Sequence, residues 1–231
     1  MPRIEQEKAR KGSQRWLQET VAIQPKKLAA ALFAALPKCQ GRELTWLSPR
    51  ADDAYAEYSD SAALELAGLR ELPHRALKEF WPARGPVWDG IARTDNGDVI
   101  LIEAKAHIPE MVSPATSARG ASLALIERSL RDTKKALGST SPNAWTGTFY
   151  QYANRLAFLY LLRDLNKLPV HLAFLYFTHA PDLEDAPGEA EWRGAIKVVH
   201  AYLGLGRHRL SPYVGEAFFD AGAASSRAGS A

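Results

Sequence analysis

Two extended runs separated by a short polar segment constrain the fold of this chain more than any other feature. Val87–Arg93 and Val99–Ala106 are rich in aliphatic residues, and the segment between them reads Thr94-Asp95-Asn96-Gly97-Asp98. A polar segment with Asn-Gly between two such runs is typical of a β-hairpin. The sequence therefore predicts two adjacent antiparallel strands near the middle of the chain.

An acid and a lysine interrupt the second of these runs. Side chains alternate across a strand, so Glu103 and Lys105 point to one face while Ile102 and Ala104 point to the other. Burying an unpaired charge is costly, so the two must be solvated, paired or functional. A second acid-x-Lys sequence, Asp132-Thr133-Lys134, falls on the polar side of a predicted helix, and we interpret it as solvated surface.

The loop length decides whether Asp89 of the first run joins this pair. If Asn96-Gly97 forms a two-residue turn, Asp89 lies opposite Ala104 and points to the wrong face. If Asp95-Asn96-Gly97 forms a three-residue loop, Asp89 lies directly opposite Glu103. Both turns are chemically reasonable. Because only the second assembles a site, a functional role for these residues predicts the three-residue loop.

Such an arrangement suggests a cation site. Two neighbouring carboxylates repel unless a cation or a proton lies between them, and oxygen ligands suit Mg²⁺ or Mn²⁺. An ion held by Asp89 and Glu103 could polarise a phosphate and lower the pKa of a bound water. Lys105 could orient or deprotonate that water. The alternative is a cross-strand salt-bridge cluster with no catalytic use.

Helical and extended patterns alternate along the rest of the chain. Helices are predicted over Ser13–Ile23, Lys26–Leu36, Asp52–Leu69, His74–Phe80, from Ser113-Pro114 to Leu137, Phe149–Arg163 and Trp192–Leu203, and further strands over Glu43–Leu47 and Val170–Thr178. At 231 residues one substantial core is expected. The predicted fold class is α/β or α+β, with helices around a small mixed β-sheet.

The organisation predicted along the chain is a basic amino-terminal helical elaboration (1–50), a core (51–220) and a disordered small-residue tail (221–231). Residues 1–50 carry 10 basic and 4 acidic residues, residues 51–110 carry 6 and 12, and residues 111–170 carry 8 and 3. An acidic block between two basic ones suits a cation-binding centre flanked by phosphate-attracting surfaces. Ordinary solvated charge would give the same distribution.

The residues of the hairpin resemble a known family. Val87-Trp88-Asp89, then thirteen residues, then Glu103-Ala104-Lys105 is similar to the motif of the PD-(D/E)xK, or restriction-endonuclease-like, nuclease superfamily, with Trp88 in place of the family's proline. The resemblance implies a core of a helix, a three-strand meander, a helix and a further strand over roughly Asp52 to Thr178, with helices on both faces of the sheet. It also implies divalent-metal phosphodiester hydrolysis, with Asp89 and Glu103 as ligands and Lys105 beside the nucleophilic water. Restriction-type enzymes commonly dimerise, so a homodimer is one expectation.

Further polar residues are candidates for the same site. Such nucleases often supply another acid from the helix that precedes the hairpin. On a regular helix Glu65 borders the apolar stripe and could reach inward, whereas Glu57 lies farther round. This preference disappears if the chain around Tyr55–Tyr58 is not helical, so both residues remain open for the role. Gln151, Asn154 and Arg155 share one face of a predicted buried helix and could hold a phosphate or order water. Alternatively, they cap that helix or meet solvent.

Composition bounds the remaining function classes. With one cysteine, Cys39, no internal disulfide can form, so we expect a reducing cytoplasm. The longest apolar run, Leu28–Leu36, is too short to span a bilayer, so no membrane partner is expected. A third interpretation is a small-molecule or carbohydrate enzyme, but the sequence has no Gly-rich phosphate loop, Ser/His/Asp order or Cys/His metal spacing to support it. The first hypothesis is a nuclease acting on nucleic acid, with DNA preferred over RNA; the alternative is a catalytically silent nuclease-like fold that binds nucleic acid or a protein.

Overall fold

The computed structural model describes residues 3–39 and 43–223, in which helices and strands alternate. The α-helices are α1 Gly12–Ile23, α2 Pro25–Ala35, α3 Asp60–Leu66, α4 Leu77–Phe80, α5 Gly120–Ala136, α6 Tyr150–Leu159 and α7 Glu189–Leu203. The strands are β1 Arg3–Ile4, β2 Leu44–Ser48, β3 Glu57–Tyr58, β4 Gly90–Thr94, β5 Val99–Lys105, β6 Val170–Thr178 and β7 Val214–Asp220. A π-helical segment, Tyr160–Leu165, continues α6. Short 3-10 turns cover Pro37–Cys39, Ala51–Asp53, Ile108–Met111 and Ser211–Tyr213.

Five strands form one mixed sheet in the order β2-β4-β5-β6-β7. Strands β2, β4 and β5 are antiparallel neighbours, so they make a three-strand meander. Strands β6 and β7 continue the sheet in parallel with β5. The short strands β1 and β3 form a separate antiparallel pair. Because β5 has neighbours on both sides, its backbone is held along the whole strand.

The hairpin has the three-residue loop that a functional site requires. The amide of Thr94 donates to the carbonyl of Asp98 at 2.8 Å, and Gly97 takes a left-handed conformation with φ of 89°. Gly90 pairs with Ile102, and the same register extended by one residue sets Asp89 opposite Glu103. The predicted register is confirmed.

The sheet separates two hydrophobic cores, one on each face. Alternate residues of β5 and β6 enter different cores, so Leu101 and Phe174 pack on one side while Ile102 and Ala173 pack on the other. Helices α1 and α2 cover the second side through contacts with β5 and β7. Helices α5, α6 and α7 belong to the first side. The predicted class, a mixed sheet with helices on both faces, is confirmed.

The predicted helix over Asp52–Leu69 is wrong in its first half. Ala54 and Tyr55 have positive φ values of 49° and 46°, which no α-helix accommodates. Tyr58 instead pairs with Arg3 in the small sheet, and its carbonyl accepts a hydrogen bond from the amide of Trp88 at 2.9 Å. These partners are distant in sequence, and they replace the local hydrogen bonds that a helix would make.

The helix predicted to begin at Ser113-Pro114 begins at Gly120 instead. The hydroxyl of Ser113 accepts a hydrogen bond from the amide of Gln151 at 2.9 Å. Ser113 therefore satisfies a free amide at the start of α6 rather than capping a helix of its own.

The two ends of the chain also differ from the predicted organisation. Strand β2 lies within the first 50 residues yet belongs to the central sheet, and β7 was not predicted. Ala221, placed in the predicted disordered tail, is fully buried, and the prediction for 224–231 lies outside the described residues. Within the described ranges, no helix has both the length and the apolar character needed to cross a membrane.

Candidate active site

Strand β5 carries Glu103 and Lys105 on the face that α6 covers. The odd-numbered residues of this strand, Val99 and Leu101, pack into the core with α6, so Glu103 and Lys105 follow them onto the same side. The carboxylate of Glu103 and the ammonium of Lys105 are 2.5 Å apart. The side chain of Glu103 is only 3% exposed, whereas that of Lys105 is 14% exposed. The lysine therefore lies on the solvent side of the pair.

Asp89 joins this pair from the residue just before β4. Its Oδ2 accepts a hydrogen bond from the amide of Ala104 at 2.7 Å, which holds the carboxylate against β5. Burial and the charge of Glu103 raise the pKa of Asp89 to about 7, against the opposing effect of Lys105 and Arg155. The structure thus brings the three predicted residues together, with two carboxylates that repel each other at neutral pH.

Arg155 of α6 is the principal partner of Glu103. Its Nε donates to Oε2 of Glu103 at 2.7 Å, and its Nη2 lies 2.5 Å from the same oxygen. Burial by itself would raise the pKa of Glu103, but the charges of Arg155 and Lys105 and their hydrogen bonds hold that pKa below its ordinary value. Glu103 is therefore an anion although it is buried.

Both terminal nitrogens of Arg155 also donate hydrogen bonds to other groups. Nη2 donates to the carbonyl of Val87 at 2.7 Å, and Nη1 donates to Oδ1 of Asn154 at 3.0 Å. The guanidinium carbon lies 4.8 Å from the ring centre of Trp88, a cation–π contact. Of the predicted polar patch on α6, Arg155 and Asn154 are buried and only Gln151 is exposed. Arg155 and Asn154 are thus arranged to fix the position of Glu103.

Lys105 and Gln151 lie at the open side of the site. The ammonium of Lys105 is 3.5 Å from Oε1 of Gln151. Burial would lower the pKa of Lys105, but the carboxylates of Glu103 and Asp89 outweigh it and raise that pKa above its ordinary value. The lysine is therefore protonated at neutral pH, and it can donate hydrogen bonds but not accept a proton.

The two candidates for an additional acid lie in different places. Glu57 of β3 lines the same cavity as Asp89 and Glu103, and its carboxylate accepts hydrogen bonds from Gln14 at 3.0 Å and Gln6 at 3.1 Å. Burial, with a smaller effect of Glu103, raises the pKa of Glu57. Glu65 is exposed and forms a surface ion pair with Arg70 outside this cavity.

The floor of the site is formed by Asp89, Glu103, Lys105 and Glu57, which line an open cavity of about 830 Å³. Its walls are the segment from Trp81 to Val87 and the segment from Ser113 to Arg119, together with the start of α6. The exposed guanidinium groups of Arg84 and Arg119 lie on these walls. Neither takes part in an ion pair among the described residues. They were not singled out from the sequence, because isolated arginines in irregular segments carry no periodic signal.

The second acid-x-Lys sequence has a different environment. Asp132 is exposed on α5, as predicted for solvated surface. Lys134 is not solvated in the same way, because its ammonium donates to the carbonyl of Asn143 at 3.1 Å and to that of Ser141. Asp132 and Lys134 therefore have different surroundings and do not form a functional site with each other.

Comparisons with known proteins supply no relative: no family model, no curated protein and no solved structure matches the chain.

Proposed function

We propose that this chain is a metal-dependent nuclease that hydrolyses phosphodiester bonds in nucleic acid, with DNA as the first substrate to test. The observation that carries the proposal is the convergence of Asp89, Glu103 and Lys105 on one face of the hairpin, at the floor of an open cavity. The class of site is the PD-(D/E)xK type that the sequence resembles. The single cysteine favours a reducing compartment, and we place the enzyme in the cytoplasm.

The donor set fits Mg²⁺ or Mn²⁺. Asp89 and Glu103 offer carboxylate oxygens, and the raised pKa of Asp89 reflects first its burial and then the cost of ionising it beside Glu103. A divalent cation removes that cost, and Mg²⁺ takes one or two carboxylates and keeps several waters. When bound, the ion would polarise the scissile phosphate and acidify a water.

The protein's own groups have distinct parts in this chemistry. Asp89 and Glu103 would hold the ion, and Arg155 with Asn154 keeps Glu103 in place. Protonated Lys105 would orient the attacking water and offset negative charge that develops on the phosphate. Gln151, beside Lys105, is placed to contact the same phosphate.

Glu57 rather than Glu65 is the additional acid that we assign to the site. Glu57 lines the cavity, and burial raises the pKa of its carboxyl group, which makes the carboxylate a stronger base toward water than an exposed glutamate. Arg84 and Arg119 on the cavity walls would contact the flanking phosphates of the strand.

The test is cleavage of plasmid DNA and of labelled single- and double-stranded DNA and RNA with Mg²⁺, Mn²⁺ or EDTA. Asp89→Asn and Lys105→Met should each lower the rate by about 100-fold or more. Asp132→Asn and Lys135→Met make the same chemical changes on the exposed face of α5 and should leave the rate unchanged.

Two outcomes would overturn the proposal. One is wild-type protein that cleaves none of these substrates with either ion. The other is Asp89→Asn and Lys105→Met variants that cleave at the wild-type rate. Binding of nucleic acid without cleavage would favour the alternative, a silent nuclease-like fold.

A further inference from the structure

A second group of metal-ligating side chains lies where β5 and β6 begin, away from Glu103. Cys39, Asp98 and His171 each offer one ligand atom, and the three atoms lie within 4.8 Å of one another. In the part of the chain that the structure describes, this is the one set of three His, Cys, Asp or Glu side chains that meets this distance. Nε2 of His171 and Oδ2 of Asp98 are 3.6 Å apart.

The cluster lies on the other side of the sheet from Asp89 and Glu103. Cys39 belongs to the core under α1 and α2, and His171 pairs with Ile100 of that same core. Three segments meet here: the turn after α2, the end of the hairpin loop and the start of β6. No part of the proposed nuclease site contributes to it.

Burial makes the cluster chemically unusual. Cys39 is fully buried and His171 is 1% exposed. Nδ1 of His171 has no hydrogen-bond partner among the described residues. This nitrogen can carry the ring proton and leave the lone pair of Nε2, which lies 3.6 Å from Oδ2 of Asp98, for an ion. Burial, together with the charge of Arg163, lowers the pKa of His171 to about 4, so the imidazole is neutral and can act as a ligand.

We propose that Cys39, Asp98 and His171 form a binding site for a thiophilic divalent cation, Zn²⁺ in the first instance. Sulfur, nitrogen and carboxylate oxygen are the ligands that Zn²⁺ takes in proteins, whereas Mg²⁺ is bound through oxygen. On binding, the thiol of Cys39 releases its proton to solvent, and the thiolate and the Asp98 carboxylate together balance the charge of the ion.

The distances suit such an ion. Tetrahedral Zn²⁺ with bonds of about 2.0–2.3 Å sets its ligand atoms roughly 3.4–3.6 Å apart. Asp98 and His171 already have this separation. The sulfur of Cys39 lies within 4.8 Å of both ligand atoms, so it needs to move by at most about 1.2–1.4 Å to reach it. Three protein ligands leave the fourth position for water. The ion would tie the turn after α2 to two central strands, so its binding should raise the melting temperature.

Cobalt binding gives a direct test, because Co²⁺ replaces Zn²⁺ and shows a near-ultraviolet charge-transfer band when a thiolate is a ligand. The chain has one cysteine, so this band can come only from Cys39. The full chain, cleared of metal with EDTA and kept reduced with a phosphine, should develop the band up to one equivalent of Co²⁺. Zn²⁺ should abolish it, and excess Mg²⁺ should not.

Variants assign the other ligands. Cys39→Ser should eliminate the band, and Asp98→Asn and His171→Gln should each weaken Co²⁺ binding at least tenfold. His179→Gln, which changes an exposed histidine beside Asp220, is the matched control and should bind as the wild type does. Asp89→Asn should also keep the band, which separates this site from the nuclease site.

The proposal is overturned if wild-type protein shows no thiolate band with Co²⁺, or if His171→Gln and Asp98→Asn bind Co²⁺ as tightly as wild type. These outcomes do not depend on how well Cys39→Ser folds, because circular dichroism of the other two variants checks their folding independently.

Discussion

Nε of Arg155 donates to Oε2 of Glu103 at 2.7 Å across 52 positions of sequence, and both side chains are almost fully buried. This ion pair joins α6 to the central strand β5. It also explains how Glu103 keeps its charge in the core, since a buried carboxylate without such a partner would be neutral.

Replacing Arg155 should therefore cost more stability than replacing Lys105. Arg155→Met leaves a buried carboxylate with one fewer partner and should lower the free energy of unfolding by about 3–5 kcal/mol. Lys105→Met should cost less, because Glu103 keeps Arg155 and Lys105 lies nearer to solvent. Urea unfolding of both variants measures the difference, and equal losses would contradict this assignment of partners.

Asp89 should make the stability of the metal-free protein depend on pH. The pKa of Asp89 is about 7 in the folded protein, whereas the ordinary value for an aspartate is 3.8. At pH values between these two, Asp89 is protonated in the folded state and ionised in the unfolded state. The stability that protonated Asp89 contributes to the fold is therefore fully present below pH 3.8 and is lost as the pH rises through about 7. In EDTA, wild type should lose stability between about pH 4 and pH 7 relative to Asp89→Asn, and the difference should level off above about pH 7. A difference in the free energy of unfolding between the two proteins that stays constant over this pH range would refute the raised pKa of Asp89.

The same proton should compete with the cation. Because Asp89 must ionise to act as a ligand, the apparent affinity for Mg²⁺ should fall by about tenfold for each pH unit below 7. Calorimetric titrations of Mg²⁺ at about pH 6, 7 and 8 measure this slope. An affinity that is the same at all three values would show that binding of the ion displaces no proton from Asp89, which would contradict this prediction.

Glu57 and Glu65 should respond differently to the same substitution. Glu57→Gln removes a carboxylate that lines the cavity, so it should lower the cleavage rate at least tenfold. Glu65→Gln changes an exposed ion pair and should leave the rate unchanged, with at most about 1 kcal/mol of stability lost. Cleavage rates and melting curves of the two variants decide the assignment. The assignment of Glu57 fails if both variants cleave as wild type does.

Two glycine-to-alanine substitutions should change the free energy of unfolding in opposite directions. Gly97 has φ of 89°, and no atom lies within 4 Å of the position that an alanine methyl would take, so Gly97→Ala meets backbone strain alone and should cost about 1–2 kcal/mol. Gly194 is exposed within α7 and also has free space, so Gly194→Ala should stabilise by about 0.5–1 kcal/mol. Chemical denaturation of both variants is the measurement. A stabilising Gly97→Ala would mean that the hairpin loop differs from the one described.

Local patterns predicted the parts of this fold that depend on local interactions. The hairpin, its polar face and the limits of β6 follow from side-chain alternation, turn chemistry and an unbroken apolar run. The loop length cannot be read directly, because both turns are compatible with the residues. It follows only from the requirement that Asp89 and Glu103 share a face.

Predictions failed where distant residues determine the local conformation. The spacing of Tyr55 and Tyr58 indicates a helix, but Tyr58 bonds to residues near the amino terminus and to Trp88. Arg155 is recognisable as part of a polar patch, but sequence spacing gives no indication that its partner is Glu103. Partner choice of this kind depends on the packing of α6 against the sheet.

The parallel pairing of β5 with β6 has a consequence for the order of folding. The connection between them, residues 106–169, includes α5 and α6. The two strands can therefore pair only after this long connection has brought their ends together. Glu103 lies just before this connection, and its partner Arg155 lies within it. A chain still being synthesised can form the hairpin early, yet it cannot enclose the glutamate until α6 and β6 have emerged and docked.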